Sequence, residues 1–389
     1  MINYATTDIA IVGGGLAGLT LALGLRSLNF KVTLIEAKPL VKPAERHFDS
    51  RCLSLSFGTS QILQKLNLWE ALVKDASPIK QVHVSDRGHC GMVRLSAEQE
   101  NIPALGYVIE MPLLAEALWQ QLSQSNIEVR SPATVTAIEQ TEHHARLTIQ
   151  QNQSICHLDA KLLICADGAQ SGLRKLLGIK AQEYDYQQSA IVANVVLNRA
   201  HQNIAYERFT TEGPLAMLPL TGQRSAAVWV LPSAQIPQWM TLSDAQYLVE
   251  LQRIFGYRLG KLLQVGKREA FPLKRVDTDI LTKGHAIIFG SASHHIHPVA
   301  GQGFNLTMRD ISGLLALLAE VPLKDVAGAY QKSRQRDQQR TISITDGLVK
   351  IFSTDALPMV LARNFALQKL ERLPMLKAQV GRVMMGLSS

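Results

Sequence analysis

Cysteine is scarce and unpatterned in this chain: Cys52, Cys90, Cys156 and Cys165 form no CxxC pair and have no His-linked metal spacing. A disulfide scaffold or zinc module is thereby excluded as the organising device, and a reducing cytosol fits best. Cys165 stands in an apolar run, where a cysteine acts as a small buried hydrophobe. Acidic residues are also in deficit, 32 Asp and Glu against 40 Lys and Arg, for a formal net charge of +8. No long basic run or nucleic-acid motif accompanies that excess, so no nucleic-acid partner is expected. The charge suits an anionic cofactor or an anionic membrane surface. There is no GxSxG elbow of a serine hydrolase. The N-terminus lacks the charged region and small-residue cleavage site of a signal peptide. Neither an internal repeat nor a low-complexity tract occurs. The uncharged run from Ile9 to Leu25 starts after an acid, has no basic residue before it and holds three glycines in a row. A spanning helix needs about 20 apolar residues with cationic flanks, which this is not. A length of 389 residues suits two domains, or one large domain with an insertion.

That uncharged run instead carries a dinucleotide fingerprint. Ile9, Ile11 and Val12 supply a short buried strand that leads into Gly13-Gly14-Gly15-Leu16-Ala17-Gly18. Gly13 permits the tight turn, Gly15 admits a pyrophosphate to the backbone, and Gly18 lets the next helix pack closely. The helix N-terminus then offers unpaired N–H groups and a partial positive charge to phosphate. Lys31 to Ile35 reads as the second strand, and Glu36 at its end accepts the hydroxyls of an adenosine ribose. A carboxylate there disfavours the 2′-phosphate of NADP.

Beyond this unit, a helix is expected from Thr59 to Lys74, and a hairpin from Gln81–Ser85 and Met92–Leu95. A helix follows over Pro112–Ser123, then short strands near Glu128, Thr134, Ala145 and Ile155. Leu162 to Ala166 reads as a strand buried on both faces. From Ile191 to Phe271 the chain alternates like an antiparallel sheet, with a helix over Ser243–Phe255. Ala286–Gly290 is a further buried strand, and an apolar helix spans Leu306–Glu320. The remainder is helical and basic. The fold expected is α/β: a parallel nucleotide-binding sheet interrupted twice by strands that build a second sheet, with a pocket where the two meet.

Two later segments stand out. Asp167-Gly168 follows the Leu162–Ala166 strand; alone, such a pair commonly makes a turn. Gly290-Ser291 and Gly301-Gln302-Gly303-Phe304-Asn305 frame a loop before the last apolar helix, where N–H groups can face an electron-rich ring. His294, His295 and His297 lie between them without a metal spacing, so loop packing explains them better than a metal.

In this order and at these separations, the segments resemble the flavoprotein aromatic hydroxylases of the para-hydroxybenzoate hydroxylase fold, over residues 5 to 350. Within that family the chain is most similar to the ubiquinone-biosynthesis hydroxylases, and among them to those acting on 2-polyprenyl-6-methoxyphenol. Phe48-Asp49-Ser50-Arg51, His83-Val84-Ser85-Asp86-Arg87-Gly88-His89, Glu207-Arg208-Phe209 and Gly213 to Pro219 carry the likeness, with Ala300 to Leu306. The Val-Ser-Asp-Arg-Gly hairpin discriminates most, because sister hydroxylases usually carry Trp-Asp there. The resemblance implies a Rossmann-like FAD-binding domain from residues 1–75, 99–180 and 275–350. It also implies a substrate-binding β domain from 76–98 and 181–274, and a C-terminal helical segment over 351–389. Gly13, Gly15, Gly18 and Glu36 would hold the ADP half of FAD, and Arg51 its nucleotide or ribityl region. Asp167 and Gly168 would line the FAD and pyridine-nucleotide cleft, and Gly301, Gln302, Gly303 and Asn305 would cradle the isoalloxazine. Ser291 replaces the aspartate that the family normally places beside a ribityl hydroxyl.

The implied activity is hydroxylation of a polyprenylated phenol, 2-polyprenyl-6-methoxyphenol to the 1,4-benzoquinol. It would use O2 and transient NADPH or NADH through a C4a-hydroperoxyflavin. His297 and Pro298 are the candidate residues beside the reacting face, with a rigid loop as the alternative role. A dehydrogenase or reductase on the same fold, or a non-catalytic FAD-bearing subunit of a biosynthetic complex, stays open. The WxWxIP signature of halogenases is absent. Between Leu361 and Arg382 five basic residues face one acidic residue. That stretch suggests a face for a membrane or a biosynthetic complex, and hence a cytoplasmic protein peripheral at the inner membrane.

Overall fold

Five strands form the parallel heart of the first sheet: β19 (Ala286–Ile288), β11 (Ser154–Cys165), β1 (Tyr4–Val12), β2 (Val32–Ile35) and β8 (Glu128–Arg130), in that order. The computed structural model describes residues 4–387, apart from 44, 46, 353 and 355; the outermost residues of the first and last expected segments lie outside these. β11 joins two stretches that the sequence suggests as separate strands. Its N-terminal part pairs antiparallel with β10 (Ala145–Gln151), which in turn pairs with β9 (Thr134–Gln140), while its apolar end pairs parallel with β19. Ile9, Ile11, Leu34, Ile164 and Ile287 are fully buried, as strands covered on both faces require. A short strand, β18 (Thr282–Lys283), closes the edge beyond β19.

The second sheet is built from the two expected interruptions. β5 (Gln81–Asp86) and β6 (Met92–Ser96) form the hairpin. β12 (Gln182–Leu197), β13 (Ile204–Phe209), β14 (Pro214–Leu220), β15 (Arg224–Pro232), β16 (Leu262–Val265) and β17 (Glu269–Asp277) supply the rest, with the short β20 (His294–His295) at one edge. A parallel pairing of β13 with β5 joins the two interruptions. A third, small sheet, β3 (Cys52–Ser56), β7 (Gly106–Glu110) and β4 (Ser77–Ile79), is additional to the expected elements.

Local chemistry sets the helix ends. α1 (Leu16–Gly24) starts at the glycine turn. α2 (Phe57–Lys65) is capped by Ser56 and ends well before Lys74, because Asn67 turns the chain at φ 57°. α3 (Met111–Ser123) matches its expectation, and α4 (Gly172–Leu176) is one short turn. After α5 (Ile236–Met240), α6 (Asp244–Phe255) begins with a capping box in which Ser243 and Gln246 bond reciprocally. α7 (Gln302–Glu320) begins four residues before Leu306, at a left-handed Gly301 of φ 61°. α8 (Leu323–Phe352), α9 (Leu357–Arg372) and α10 (Pro374–Met384) complete the chain.

The discriminating hairpin proves to be an anchor. Asp86, 3% exposed, accepts from Arg363 Nε at 2.8 Å and from Asn364 Nδ2 at 2.8 Å, both on α9. Asn364 Oδ1 accepts in turn from the Gly91 N–H at 2.6 Å. Arg363 also donates to the Thr354 carbonyl at 2.6 Å, which fixes the chain entering α9.

Candidate functional site

At the first glycine turn each glycine has a different neighbour. A Cβ on Gly13, whose φ is +116°, would come 2.3 Å from the Ala166 carbonyl, and one on Gly18 would come 1.9 Å from the Gly13 carbonyl. These two glycines are therefore required by protein packing. A Cβ on Gly15 would meet no atom of the described residues within 4 Å. Among the described residues, nothing fills the space over that backbone and no side chain caps α1. Glu36 closes the turn by accepting from the Gly14 N–H at 2.6 Å and the Lys38 N–H at 2.9 Å. Its oxygens retain lone pairs for further donors such as ribose hydroxyls.

Asp167 lies against this turn, its backbone N within 3.0 Å of a Cβ built on Gly13. Its carboxylate is engaged internally: it accepts from Ser171 Oγ at 2.6 Å and from the Leu173 N–H at 3.0 Å, capping α4. Beside it, Gly168 has φ +90° and open space over its Cα. Arg51 is exposed at the start of β3, its guanidinium 4.9 Å from the centre of the Phe271 ring.

The third segment sets a second helix N-terminus next to the first. Gly290 packs between Ala17 of α1 and Thr307 of α7, while Gly24 at the other end of α1 meets Leu315 of α7. The two helices therefore run in the same direction and present their N-termini on the same side. Ala300 and Gly301 are both left-handed, at φ 58° and 61°, and among the described residues no side chain caps α7. Asn305 holds the turn together: its Oδ1 accepts from the Ser56 N–H and Thr59 Oγ1, each at 2.8 Å. Its Nδ2 donates to the Ser54 and Gly301 carbonyls at 3.0 and 2.7 Å. Gln302 points inward, donating to the Met384 carbonyl at 3.1 Å. The side chains of Gln302 and Asn305 thus shape the loop, and what they leave for a ligand is uncapped backbone.

An elongated anionic cofactor fits this arrangement: one uncapped helix N-terminus beside an acidic strand end, a second beside a cavity. Ser291 is exposed in the short turn after β19, next to Gly290. An aspartate there would offer a charge-assisted bond, roughly twice as strong as a neutral one. Ser291→Asp is expected to tighten FAD binding about tenfold, as read by fluorescence titration of the apoprotein; unchanged affinity refutes a ligand role for this position.

Between the loop and the second sheet lies a cavity of ≈ 440 Å³, within the roughly 300–1,000 Å³ of small-molecule sites. Pro298 and Gly301 line one wall, Val84 and Ala216 of the sheet another, and Phe352, Leu367 and Met384 of the C-terminal helices a third. Pro298 reaches the cavity, but His297 does not line it. That imidazole is 1% exposed, packs edge-on against Tyr186 at 5.0 Å and accepts from the Val299 N–H at 3.1 Å through Nδ1. Burial lowers its pKa to about 4, so it is neutral and its place is structural. His294 is equally removed, held by Asp310 at 2.7 Å in a buried network with Arg334 and Gln338. Burial by itself pushes the Asp310 carboxyl up, but the His294 bond and the Arg334 charge hold it below its ordinary value.

Glu207 is the residue that sequence reasoning quotes without giving it a role. It lines the cavity from β13, and burial alone pushes its carboxyl up to about 7. The signal was periodicity: Ala205, Glu207 and Phe209 share one face of an alternating strand.

Comparison with known proteins identifies the family. A family profile described as "FAD binding domain" matches residues 6–342. The ubiquinone hydroxylase UbiL of Rhodospirillum rubrum is 32% identical over 387 residues, covering 97% of this chain and 89% of that protein. The 3-demethoxyubiquinol 3-hydroxylase of Escherichia coli K12 is 32% identical over 98% of this chain and 99% of its own length. Among solved structures, p-nitrophenol 4-monooxygenase PnpA of Pseudomonas putida DLL-E4 superposes with a TM-score of 0.80 at 16% identity, covering 98% of both chains. That last likeness bears on the fold alone.

Proposed function

We propose, because this chain belongs to the family of FAD-dependent ring hydroxylases, that it hydroxylates the ring of a polyprenylated phenol in ubiquinone biosynthesis. The reaction assigned is 2-polyprenyl-6-methoxyphenol to the 1,4-benzoquinol. The observation that carries this reading is the apolar cavity whose one wall is the Pro298–Asn305 loop. Bound FAD supplies the redox chemistry, drawing on NADPH or NADH and O2.

The residues present contribute binding, orientation and dryness. The N–H groups at Gly15 and the start of α1 would hold the pyrophosphate, Glu36 the ribose, and the α7 N-terminus the electron-rich edge of the flavin. Arg51 and Gly168 are proposed to flank the cofactor. Asp167 acts by shaping the turn beside it. The apolar walls exclude water and hold the phenol ring against the loop. Sheets and helices divide in a way that supports the expected FAD-binding and substrate-binding domains.

Purified holoenzyme given a 2-prenyl-6-methoxyphenol, NADPH or NADH and O2 should consume O2 with substrate and yield one ring-hydroxylated product. Reduced-nicotinamide oxidation without oxygen incorporation would instead identify a dehydrogenase. Failure to oxidise the nucleotide would identify a non-catalytic subunit.

Access from a lipid surface is part of this proposal. Among the described residues, no helix is long and apolar enough to cross a membrane. On α9, Leu361, Phe365, Lys369 and Arg372 form an exposed stripe at helical spacing, with Leu361 and Phe365 each 62% exposed. The basic face is smaller than the sequence suggests, because Arg363 turns inward to Asp86 and Lys377 pairs with Glu371 at 3.5 Å. Deleting the segment after Thr354 would also remove Leu367 and Met384 from the cavity wall. Surface variants are the cleaner test. Leu361→Glu with Phe365→Glu is expected to abolish most cosedimentation with anionic liposomes while leaving turnover of a short-tailed phenol unchanged. Undiminished cosedimentation refutes the membrane face.

A further inference from the structure

Among the described residues, the cavity wall contains one carboxyl group and no cationic side chain to pair with it. Glu207 lies in the register row Val84–Glu207–Ala216–Val228, across β5, β13, β14 and β15. Along its own strand it is flanked on the same face by Ala205 and Phe209, and all five of these neighbours line the cavity. Phe209 stacks on Phe352 of α8 with ring centroids 3.5 Å apart, so the far side of the group is apolar as well. Among the described residues no Asp, Lys, Arg or His lines this cavity. Its other titratable groups are the Cys52 thiol and the Tyr206 phenol, both pushed up by burial and therefore neutral. The Tyr206 ring packs against His83 and Phe255. Glu207 is partly buried, open only toward the cavity; a ligand that fills the cavity would strip water from its carboxylate, which is strongly unfavourable unless a hydrogen bond replaces it. That hydrogen bond must then come from the ligand itself.

We infer that Glu207 is the catalytic residue that receives the substrate's phenolic hydroxyl and takes its proton during hydroxylation. This rests on the reading of the chain as a phenol hydroxylase. The phenol O–H donates to the Glu207 carboxylate. As the ring carbon para to that hydroxyl forms its bond to the electrophilic oxygen derived from O2 and NAD(P)H, the O–O bond that carried this oxygen breaks and its electron pair leaves with the other oxygen, while the O–H electron pair moves into the ring and the proton passes to Glu207. The ring is then a dienone whose new C–O carbon still bears its hydrogen. That hydrogen leaves as a proton to water, its electron pair restores aromaticity, and Glu207 returns its proton to the ring oxygen. The product is the 1,4-quinol, and Glu207 ends as it began. An ionisation near neutrality suits a group that both takes and returns a proton at physiological pH. The same row of apolar side chains makes the hydroxyl the one polar feature of a substrate ring that this wall recognises. Glu207 therefore also sets the ring's orientation, hydroxyl toward β13.

The test compares FAD-loaded wild type with Glu207→Gln, which keeps shape and removes charge. The probes are 2-geranyl-6-methoxyphenol and its O-methyl ether, which has no proton to give. At pH 8 wild type is expected to bind the phenol roughly tenfold or more tightly than the ether, the worth of a hydrogen bond to a charged group. Glu207→Gln should bind the two within about threefold, with product formed per NAD(P)H falling at least tenfold. Wild-type kcat should rise with pH through a limb near 7, and the variant should lose that limb. Folding is checked by melting. A raised carboxyl contributes stability below its ordinary 4.5 that is lost as pH climbs through about 7. The variant should therefore melt no lower than wild type at pH 8. If Glu207→Gln keeps the phenol preference, the coupling and the pH limb while wild type hydroxylates the phenol, the inference is overturned and the assigned function stands. If wild type neither binds nor hydroxylates the phenol, both fall.

Discussion

Asp86→Ala is expected to destabilise the protein by about 3–5 kcal/mol, the usual penalty for removing one partner of a buried ion pair. The pair is enclosed: Asp86 is 3% and Arg363 6% exposed. Removing the carboxylate strands the guanidinium, which among the described residues keeps its bonds to the Thr354 and Ile351 carbonyls and its place over the Phe352 ring. It also strips one acceptor from Asn364, which retains the Val360 carbonyl. Because α9 and α10 carry Leu367, Val380 and Met384 into the cavity wall, loosening α9 opens the cavity as well as weakening the fold. Thermal melting of Asp86→Ala should fall by about 5–10 °C, with new proteolytic cleavage between α8 and α9. Asp86→Asn, which can still accept from Arg363, should lose less. Asp86→Ala combined with Arg363→Met should recover much of the loss, because the stranded charge goes too. An Asp86→Ala protein that melts with wild type would show that the pair contributes no net stability.

This anchor marks the boundary of what the sequence discloses. The Val-Ser-Asp-Arg-Gly hairpin is visible as two alternating strands around a turn, and β5 and β6 form where expected. Nothing in residues 81–96, however, says that Asp86 meets a partner 277 positions away. Short-range signals read best: the glycine turn, the helix starting at Ser243 and the period-two strands each depend on neighbours in the chain. Non-local outcomes did not read. β11 looks like two strands because its two ends have different partners, one antiparallel and one parallel. α2 is shorter than its apolar spacing suggests because Asn67 turns the chain into loops.

Site residues divide the same way. Main-chain requirements, such as positive φ and close approach, leave a mark in glycine placement. The direction of a side chain does not: Asp167, Gln302 and Asn305 are in the expected segments, but their polar atoms serve the protein itself. His297 and Pro298 are adjacent in sequence and diverge in space, one buried against Tyr186 and the other on the cavity.

The fingerprint glycines offer the sharpest separation of fold from ligand. Gly18→Ala would force a Cβ to within 1.9 Å of the Gly13 carbonyl, backbone against backbone inside the turn. Neither atom can rotate away, so α1 must lift from β1, and a core containing Leu21, Leu23 and Ile11 opens with it. Loss of soluble folded protein, or a melting point lower by tens of degrees, is the expected result. Gly15→Ala is different in kind. Gly15 has φ −72° and ψ −179°, extended backbone that alanine adopts without strain, and the new methyl would touch no atom of the described residues. Its melting as apoprotein should match wild type within about 1 kcal/mol. The methyl would nonetheless occupy the space in which a pyrophosphate must approach the α1 N–H groups. Losing one or two such charge-assisted bonds weakens binding by roughly 10- to 100-fold each. FAD should therefore bind Gly15→Ala at least about 30-fold more weakly, measured by flavin fluorescence on the refolded apoprotein. A Gly15→Ala protein that folds and holds FAD normally would separate the glycine turn from the cofactor. One that folds and loses FAD assigns Gly15 to the ligand and leaves Gly13 and Gly18 to the fold.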